Sequence, residues 1–234
     1  MADVGERLEA ASGAIRTVVF DFDGTLHDTM HIYPSALAEG YALLAEQGLV
    51  PPRAFSRAEA ARNIGLTIRD AWALMAPGVP EDVWRPAAAR VGEAMDRMMA
   101  SGEARLFPGV PEMLDRVRSA GLTCVFLSNC RTAYQKTARC AFGLDRWFSA
   151  YYDAEAFADA PKERIFETIR TRHEGGFLAV GDREKDLVLA RAHDLPSVGC
   201  LYGCGTPEEL AGATRLARTP AEAADAILEL AGRA

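Results

Sequence analysis

Short apolar runs alternate with amphipathic segments over most of the chain. The runs that predict β-strands are Ile15–Phe20, Thr123–Leu127, Phe177–Val180 and Pro196–Leu201, with a weaker one near Thr214–Ala217. Helical patterns separate most of them, at Val110–Ala120, Thr132–Phe142, Lys162–His173, Glu184–His193 and Pro220–Ala231. Because buried strands that alternate with helices form parallel βαβ units, we expect an α/β fold, with a Rossmann-like parallel sheet and helices on both faces.

The stretch from about His31 to Ala104 has a purely helical pattern, rich in Ala, Met, Glu and Arg. The helices expected there are Ile32–Gln47, Ser56–Asn63, Thr67–Met75 and Glu81–Met99. We therefore predict an α/β core domain formed by residues 1–28 and 106–234, and a small all-helical cap domain, residues 29–105, inserted after the first strand. Such an insertion lies over the edge where the strands end and acts as a lid.

Within this predicted cap, the large apolar side chains are interpreted as packing residues. Met95, Met98 and Met99 are expected in the core of the cap rather than on a ligand surface. Trp72 and Trp84 are expected to pack in the same way.

Composition and charge exclude several classes of partner. The chain has 234 residues, of which 49% are hydrophobic and 25% charged, and its net charge is −7. Without a Lys/Arg-rich block, neither nucleic acid nor an anionic membrane is expected as a partner. No apolar run reaches the roughly 18 residues of a membrane helix. The sequence leaves open whether the protein is a monomer or a homodimer.

Two features of the chain favour the cytoplasm. The N-terminal segment, residues 1–14, carries Asp3, Glu6 and Glu9 and lacks the pattern of a secretory signal. The five cysteines are an odd number, which favours reduced thiols. A metal pair at Cys200 and Cys204 is disfavoured because no further Cys or His ligand lies nearby.

The first strand runs directly into Asp21-Phe22-Asp23, followed by Gly24 and Thr25. Two carboxylates at one edge of a sheet repel each other unless a cation or a shared proton offsets their charge. One carboxylate can attack a phosphoryl group, and a second can protonate the leaving oxygen and then activate water. The alternative is a simple turn, since Asp-Gly is common in turns.

The next two elements offer groups that bind phosphate. Ser128 and Asn129 follow the second strand and can donate hydrogen bonds to phosphate oxygens, or cap the next helix, or both. Lys162 follows Ala160-Pro161 and can neutralise a nucleophile and a phosphate. Taken alone, Lys162 is better interpreted as a solvated lysine in the first turn of a helix.

The last element is acidic. Asp182 ends a predicted strand and Asp186 lies four residues later, so the start of a helix brings both carboxylates to one face. Hard oxygen ligands of this kind suit Mg²⁺. The alternative is that these acids cap the helix N-terminus.

In this order, the four elements resemble the motifs of the haloacid dehalogenase superfamily of phosphohydrolases, over about Ile15 to Ala231. The resemblance implies that Asp21 is the nucleophile and Asp23 the general acid/base. It also matches Ser128 to the hydroxyl of the second motif and Lys162 to the lysine of the third.

The resemblance further implies a Mg²⁺ site. Its protein ligands would be the Asp21 carboxylate, the backbone carbonyl of Asp23 and Asp182. Asp186 would support the metal shell through water or through Lys162.

The predicted cap is similar to that of the phosphoglycolate phosphatase and β-phosphoglucomutase branch of this superfamily. Asn63-Ile64-Gly65-Leu66 resembles the substrate-facing cap loop there, and Leu201–Leu210 resembles a late segment of phosphoglycolate-phosphatase-like members. Arg62 and Arg69 either meet a substrate anion or face solvent.

The sequence also departs from its relatives. Lys162 is followed by Glu163 rather than Pro, and Cys130-Arg131 replaces the more usual Lys or Gly. His27 stands where many relatives carry an apolar residue, and it either approaches the leaving group or is a solvated residue at a helix entry.

The sequence thus predicts a Mg²⁺-dependent phosphatase acting on a small phosphorylated metabolite, such as phosphoglycolate or a sugar phosphate. The predicted substrate-binding positions are Gly24, Thr25, His27, Arg62, Asn63, Gly65 and Asn129. A dehalogenase would leave Asp23 without a role, and Thr25 favours a phosphatase over a phosphomutase, whose members usually carry Val there. A β-phosphoglucomutase-like phosphomutase and a non-catalytic phosphometabolite-binding protein remain as alternatives.

Overall fold

The structure is a computed structural model that describes residues 13–64 and 66–233. Its strands are β1 (Ile15–Phe20), β2 (Thr123–Ser128), β3 (Phe148–Asp153), β4 (Gly176–Gly181), β5 (Ser197–Cys200) and β6 (Arg215–Ala217). The α-helices of these residues are α1 (Tyr33–Glu46), α2 (Arg57–Ala61), α3 (Ile68–Met75), α4 (Glu81–Ala100), α5 (Val110–Ser119), α6 (Thr132–Ala141), α7 (Lys162–Arg172), α8 (Glu184–Ala192) and α9 (Pro220–Leu230). Short 3₁₀ turns lie at Thr29–His31, Leu144–Arg146 and Glu155–Phe157.

The six strands form one sheet in the order β3-β2-β1-β4-β5-β6, and every neighbouring pair is parallel. The direction of winding reverses between β1 and β4, as in Rossmann-type sheets, where ligands bind beyond the carboxyl ends of the strands at this point. The predicted fold class is confirmed. Phe20 is level with both Phe126 of β2 and Val180 of β4, so the segments that follow these strands begin side by side.

Helices cover both faces of the sheet because successive side chains of a strand point to opposite faces. In β1, Val18 and Phe20 pack into one apolar cluster together with side chains of α5, α6 and α9. Val19 packs into the opposite cluster with side chains of α7 and α8. The central strands are therefore buried on both sides, and their ends are held rigidly where the polar motifs begin.

The strand β3, Phe148–Asp153, was not among the predicted strands. It lies at the edge of the sheet and pairs only with β2 among the described strands. Its sequence, FSAYYD, lacks a continuous apolar run, and Ser149 is exposed. An edge strand needs fewer apolar side chains than a central one, so its pattern is weak.

The helices α1, α2 and α3 and the first half of α4 enclose a separate apolar cluster, which forms the helical cap. The indole rings of Trp72 and Trp84 stack there, with centroids 6.0 Å apart and planes at 3°. These two tryptophans are packing residues, as predicted. The division of the chain at residues 28/29 and 105/106 stays a prediction.

The methionines of α4 lie elsewhere than expected. Met95, Met98 and Met99 pack into the cluster on the sheet rather than into the cap cluster. The reason is that α4 is 20 residues long and extends beyond the other cap helices onto the core, where it packs against α6. Within the described residues, no helix combines the length and the apolar character needed to cross a membrane.

Candidate active site

A cavity of about 180 Å³ lies where the carboxyl ends of β1 and β2 meet the cap. Its lining brings together seven residues that the sequence singled out: Asp21, Asp23, Asn63, Ser128, Asn129, Lys162 and Asp186. Seven further residues complete it: Thr29, Tyr33, Ile64, Leu66, Met95, Arg183 and Lys185. The predicted motifs from distant parts of the chain therefore converge on one site.

Asp21 and Lys162 form a buried ion pair at the floor of this cavity. Asp21 directly follows β1, and its backbone N–H donates to the carbonyl of Val180, 2.9 Å away. Lys162 Nζ, at the first residue of α7, lies 2.5 Å from Asp21 Oδ1 and 2.6 Å from Asp186 Oδ1. Lys162 is only 5% exposed, so the interpretation as a solvated lysine is wrong.

Three buried carboxylates, those of Asp21, Asp182 and Asp186, converge on one point. One oxygen of each lies within 4.8 Å of the others. Burial raises the pKa of Asp21 to about 7, against the opposing charge of Lys162 and with the help of Asp186. Burial, Asp21 and Asp186 likewise raise the pKa of Asp182 well above its ordinary value. Among the described residues, Lys162 is the lysine that hydrogen-bonds to this cluster, and it reaches two of the three acids, Asp21 and Asp186.

Asp182 is held by groups that sequence reasoning did not assign to it. Thr25 Oγ1 donates to Asp182 Oδ1 at 3.1 Å, and the backbone N–H of Cys204 donates to Asp182 Oδ2 at 2.7 Å. Gly24 has φ +91°, and a Cβ placed there would lie 2.2 Å from Asp182 Oδ2. Only glycine satisfies both constraints. Gly24 and Thr25, predicted to bind substrate, thus contact an acid of the cluster instead of lining the described cavity.

The surroundings of Asp23 are different, since they consist of two hydroxyls and an imidazole. Thr29 Oγ1 and Tyr134 OH each lie 2.8 Å from Asp23 Oδ1, and His27 Nδ1 lies 3.0 Å from it. Burial raises the pKa of Asp23, but the hydrogen bonds from His27, Tyr134 and Thr29 lower it by more than burial raises it. The pKa of Asp23 therefore lies below its ordinary value. Asp23 therefore lies in the same cavity as Asp21 but in a hydrogen-bonded setting that contains no lysine.

His27 is fully buried, and its ring stacks on Phe22 with centroids 5.3 Å apart. The expectation of a solvated residue at a helix entry is therefore wrong. An apolar neighbourhood of Phe22 and Phe142 encloses the ring on one side, while Nδ1 contacts Asp23. Within the described residues, His27 does not line the cavity, so contact with the leaving group stays a prediction that its position disfavours.

The predicted cap residues have different surroundings. Asn63 is buried, lines the cavity and donates its amide to Met75 Sδ at 3.1 Å. Arg62 is exposed and outside the described lining, and Arg69 is exposed and pairs with Glu81 at 2.8 Å. Gly65 lies outside the described residues.

Arg183 connects the acidic segment to the cap. Its Nε donates to Glu209 at 2.7 Å, and its Nη1 donates to the backbone carbonyls of Ala61 and Ile64. Arg183 lies between Asp182 and Asp186 in the sequence, which assigned it no role of its own. Tyr134, likewise missed, lies 111 positions from Asp23 on an amphipathic helix, where a buried tyrosine carries no signal beyond packing.

The Rossmann-like sheet, the cap and the carboxylates at the strand ends define a hydrolase. A family model for haloacid dehalogenase-like hydrolases matches residues 15–194. The chain belongs to this family and is an enzyme. The resemblance predicted from the four motifs is confirmed.

Particular relatives narrow the comparison. The chain is 30% identical to a phosphoglycolate phosphatase of Agrobacterium fabrum. The alignment spans 192 residues, which are 79% of this chain and 80% of that protein. The chain is also 30% identical to a 5′-nucleotidase of Pseudomonas aeruginosa over 134 residues, 52% of this chain and 60% of that one. The fold is similar to a crystal structure of a predicted phosphatase from Clostridium acetobutylicum, with a TM-score of 0.78, 22% identity, and 93% and 100% of the two chains covered.

Proposed function

We propose that the protein is a Mg²⁺-dependent phosphatase that hydrolyses a small phosphomonoester through an aspartyl-phosphate intermediate. One observation carries this proposal: Asp21 and Asp23 line one cavity, and the first is bound to Lys162 while the second is bound to two hydroxyls and an imidazole. The resemblance to the family motif assigns Asp21 as the nucleophile and Asp23 as the proton-transfer group, and the contact with Lys162 favours the ionised, nucleophilic form of Asp21.

The residues present fit a magnesium ion. Asp21 and Asp182, with Asp186 beside them, offer the hard oxygen atoms that Mg²⁺ prefers, and the three acids lack sufficient positive charge without it. The Asp23 carbonyl is a further proposed ligand. When bound, Mg²⁺ supplies positive charge to the phosphoryl oxygens.

In the first half-reaction, an Asp21 oxygen bonds to phosphorus as the bond from phosphorus to the alcohol oxygen breaks. Asp23 gives its proton to that oxygen, and the alcohol leaves. In the second, water attacks the aspartyl phosphate, Asp23 takes a proton from the water, and Asp21 is released as a carboxylate. Ser128, Asn129 and Lys162 are placed to bind the phosphoryl oxygens during both steps.

The names of the relatives support phosphoglycolate or a nucleotide as substrate, and a sugar phosphate is retained from the sequence prediction. The cavity of about 180 Å³ favours the smaller alcohols, since sites for drug-sized ligands occupy roughly 300–1,000 Å³. We retain the cytoplasm as the proposed location, on the odd number of cysteines, all free thiols in the structure. Monomer or homodimer stays open in this proposal.

The test is phosphate release with Mg²⁺ from p-nitrophenyl phosphate, 2-phosphoglycolate, sugar phosphates and nucleoside 5′-monophosphates. Asp21→Asn is expected to lower kcat by at least about 10³-fold, and Asp23→Asn by about 10²–10⁴-fold. Asp153→Asn is a matched control, since Asp153 is also buried at the end of a strand but bonds to Thr132 and Ala156.

Wild-type rates in Asp21→Asn would refute the proposal. Isomerisation of a sugar phosphate without net phosphate release would identify a phosphomutase instead. Binding of a phosphorylated metabolite with no turnover of any substrate would identify a non-catalytic binder.

A further inference from the structure

The hydrogen bonds to Asp23 are unevenly divided between its two oxygens. Thr29 Oγ1, Tyr134 OH and His27 Nδ1 all lie within 3.0 Å of Oδ1. From the part of the chain that the structure describes, no donor reaches Oδ2. About a fifth of the Asp23 side chain is exposed, and Asp23 lines the cavity. One oxygen is thus anchored, and the other is available to substrate and water.

The three donors also contact one another, and this constrains where their hydrogens lie. His27 Nδ1 is 3.1 Å from both Tyr134 OH and Thr29 Oγ1. Were Nδ1 unprotonated, its lone pair would face a carboxylate oxygen at 3.0 Å. The network therefore assigns a hydrogen to Nδ1, which donates to Asp23.

His27 is held here at a cost to folding. Its Nε2 is buried and has no hydrogen-bond partner in the described structure. A buried polar atom without a partner is unfavourable, and an apolar side chain stacked on Phe22 would avoid this cost. Among the described residues, Asp23 is the acid that the ring contacts. This arrangement indicates a role for His27 in the site rather than in packing.

We propose that His27 and Tyr134 are positioning residues for Asp23: they hold Oδ1, so that Oδ2 carries the proton exchanged in the reaction. The inference rests on the proposed function. Oδ2–H gives its proton to the alcohol oxygen as the bond from that oxygen to phosphorus breaks. Oδ2, now unprotonated, takes a proton from water as the water oxygen bonds to phosphorus. Tyr134 and His27 keep their own hydrogens throughout.

The inference predicts a dependence on the leaving group. An alkyl alcohol leaves slowly unless it is protonated, whereas p-nitrophenolate leaves readily without a proton. A wrongly oriented Asp23 therefore slows the reaction of alkyl phosphates more than that of p-nitrophenyl phosphate. The informative quantity is kcat/KM, which reports the steps up to departure of the alcohol and excludes hydrolysis of the aspartyl phosphate.

The experiment compares kcat/KM for p-nitrophenyl phosphate with that for whichever alkyl phosphate of the panel above is hydrolysed fastest. In Tyr134→Phe and His27→Leu we expect a loss of at least about tenfold on the alkyl phosphate and less than about threefold on the aryl phosphate. His27→Asn keeps an N–H donor near the position of Nδ1 and is expected to restore most of the alkyl activity.

The matched control is Tyr152→Phe, because Tyr152 is a buried tyrosine whose hydroxyl contacts a histidine, His173, outside the cavity. It is expected to change neither rate by more than about twofold. If Tyr134→Phe does not fold, the pair His27→Leu and His27→Asn tests the same point, and thermal unfolding identifies any such variant.

Equal losses on both substrates, or no loss on either, in folded Tyr134→Phe and His27→Leu would overturn the inference. The variant Asp23→Asn distinguishes failure of the inference from failure of the proposed function. If Asp23→Asn shows the leaving-group dependence and the positioning variants do not, only the inference fails. If Asp23→Asn itself leaves both rates unchanged, the proposed role of Asp23 fails, and the inference fails with it.

Discussion

Asp21 and Asp23 lie two residues apart and line one cavity, yet their surroundings are opposite. Asp21 is bound by a buried lysine and lies among other acids, and its pKa is raised to about 7. Asp23 is bound by two hydroxyls and an imidazole, and its pKa is lowered. The comparison teaches that the sequence motif determines where the two carboxylates lie, while the groups that contact them determine how each one behaves. For Asp21 the contact is the distant Lys162, and for Asp23 the contacts are local residues and the distant Tyr134.

The largest expected effect comes from removing the positive charge on the Asp21 side. Lys162→Met leaves three buried acids without their lysine, so we expect a loss of about 3–5 kcal/mol in the free energy of unfolding, measured with urea in metal-free buffer. Adding Asp186→Asn to this variant is expected to restore part of the loss, because one of the repelling charges is removed.

The exposed Lys136 on α6 provides the control, and Lys136→Met is expected to stay within about 0.5 kcal/mol of wild type. A loss below about 1 kcal/mol in Lys162→Met would show that the acidic cluster is not under the electrostatic strain described.

The second effect is a dependence of metal stabilisation on pH. The pKa of Asp21 is higher in the folded protein, about 7, than its ordinary value of 3.8. In the metal-free protein, Asp21 therefore binds its proton more tightly when folded than when unfolded, and its contribution to stability is lost as pH rises from about 4 to about 7. A cation that binds the ionised acids reverses this loss.

Mg²⁺ should accordingly raise Tm more at about pH 8 than at about pH 5, with a gain of about 2.7 kcal/mol at a hundredfold excess over its Kd. Differential scanning calorimetry with and without the ion measures this. Asp182→Asn is expected to weaken the effect strongly. An equal rise in Tm at both pH values would contradict the link between the ion and these carboxylates.

The smallest expected effect is the loss of an exposed ion pair, which serves as a reference for the buried pair of Lys162 and Asp21. Arg85 and Glu81 on α4 are 2.5 Å apart, the same distance as Lys162 and Asp21, but the Arg85 side chain is 69% exposed. Because solvent screens an exposed pair, Arg85→Ala is expected to cost less than about 0.5 kcal/mol in urea unfolding. A cost close to that of Lys162→Met would mean that distance, rather than burial, governs these ion pairs.

Much of the fold follows from the sequence because the central elements repeat a strong pattern. Apolar runs in β1, β2 and β4 are buried on both faces, so burial and sequence agree there. The edge strand β3 was missed because it needs one partner and tolerates exposed positions. The position of Met98 was misassigned because helical periodicity shows that a side chain is buried but not against which cluster.

The site was predictable to the extent that its residues follow strands. Asp21, Ser128 and Asp182 lie directly at strand ends, and parallel register brings such ends together. Tyr134 contacts Asp23, and Arg183 contacts backbone carbonyls of the cap. These partners are far away in the sequence, so no motif spacing indicated the contacts. Phe142, which packs against the His27 ring, lies more than 100 positions away in the sequence. The residues next to His27 in the sequence therefore did not indicate that it is buried.

The helix α4 has a consequence for how the molecule unfolds. Its first half contributes Trp84 and Ala87 to the apolar cluster of the cap, and its second half contributes Ala94 and Met99 to the cluster on the sheet. Disruption of either cluster therefore removes the support of a helix on which the other depends. We therefore expect the cap and the core to unfold together as one cooperative unit, because melting the cap helices would also withdraw side chains from the core.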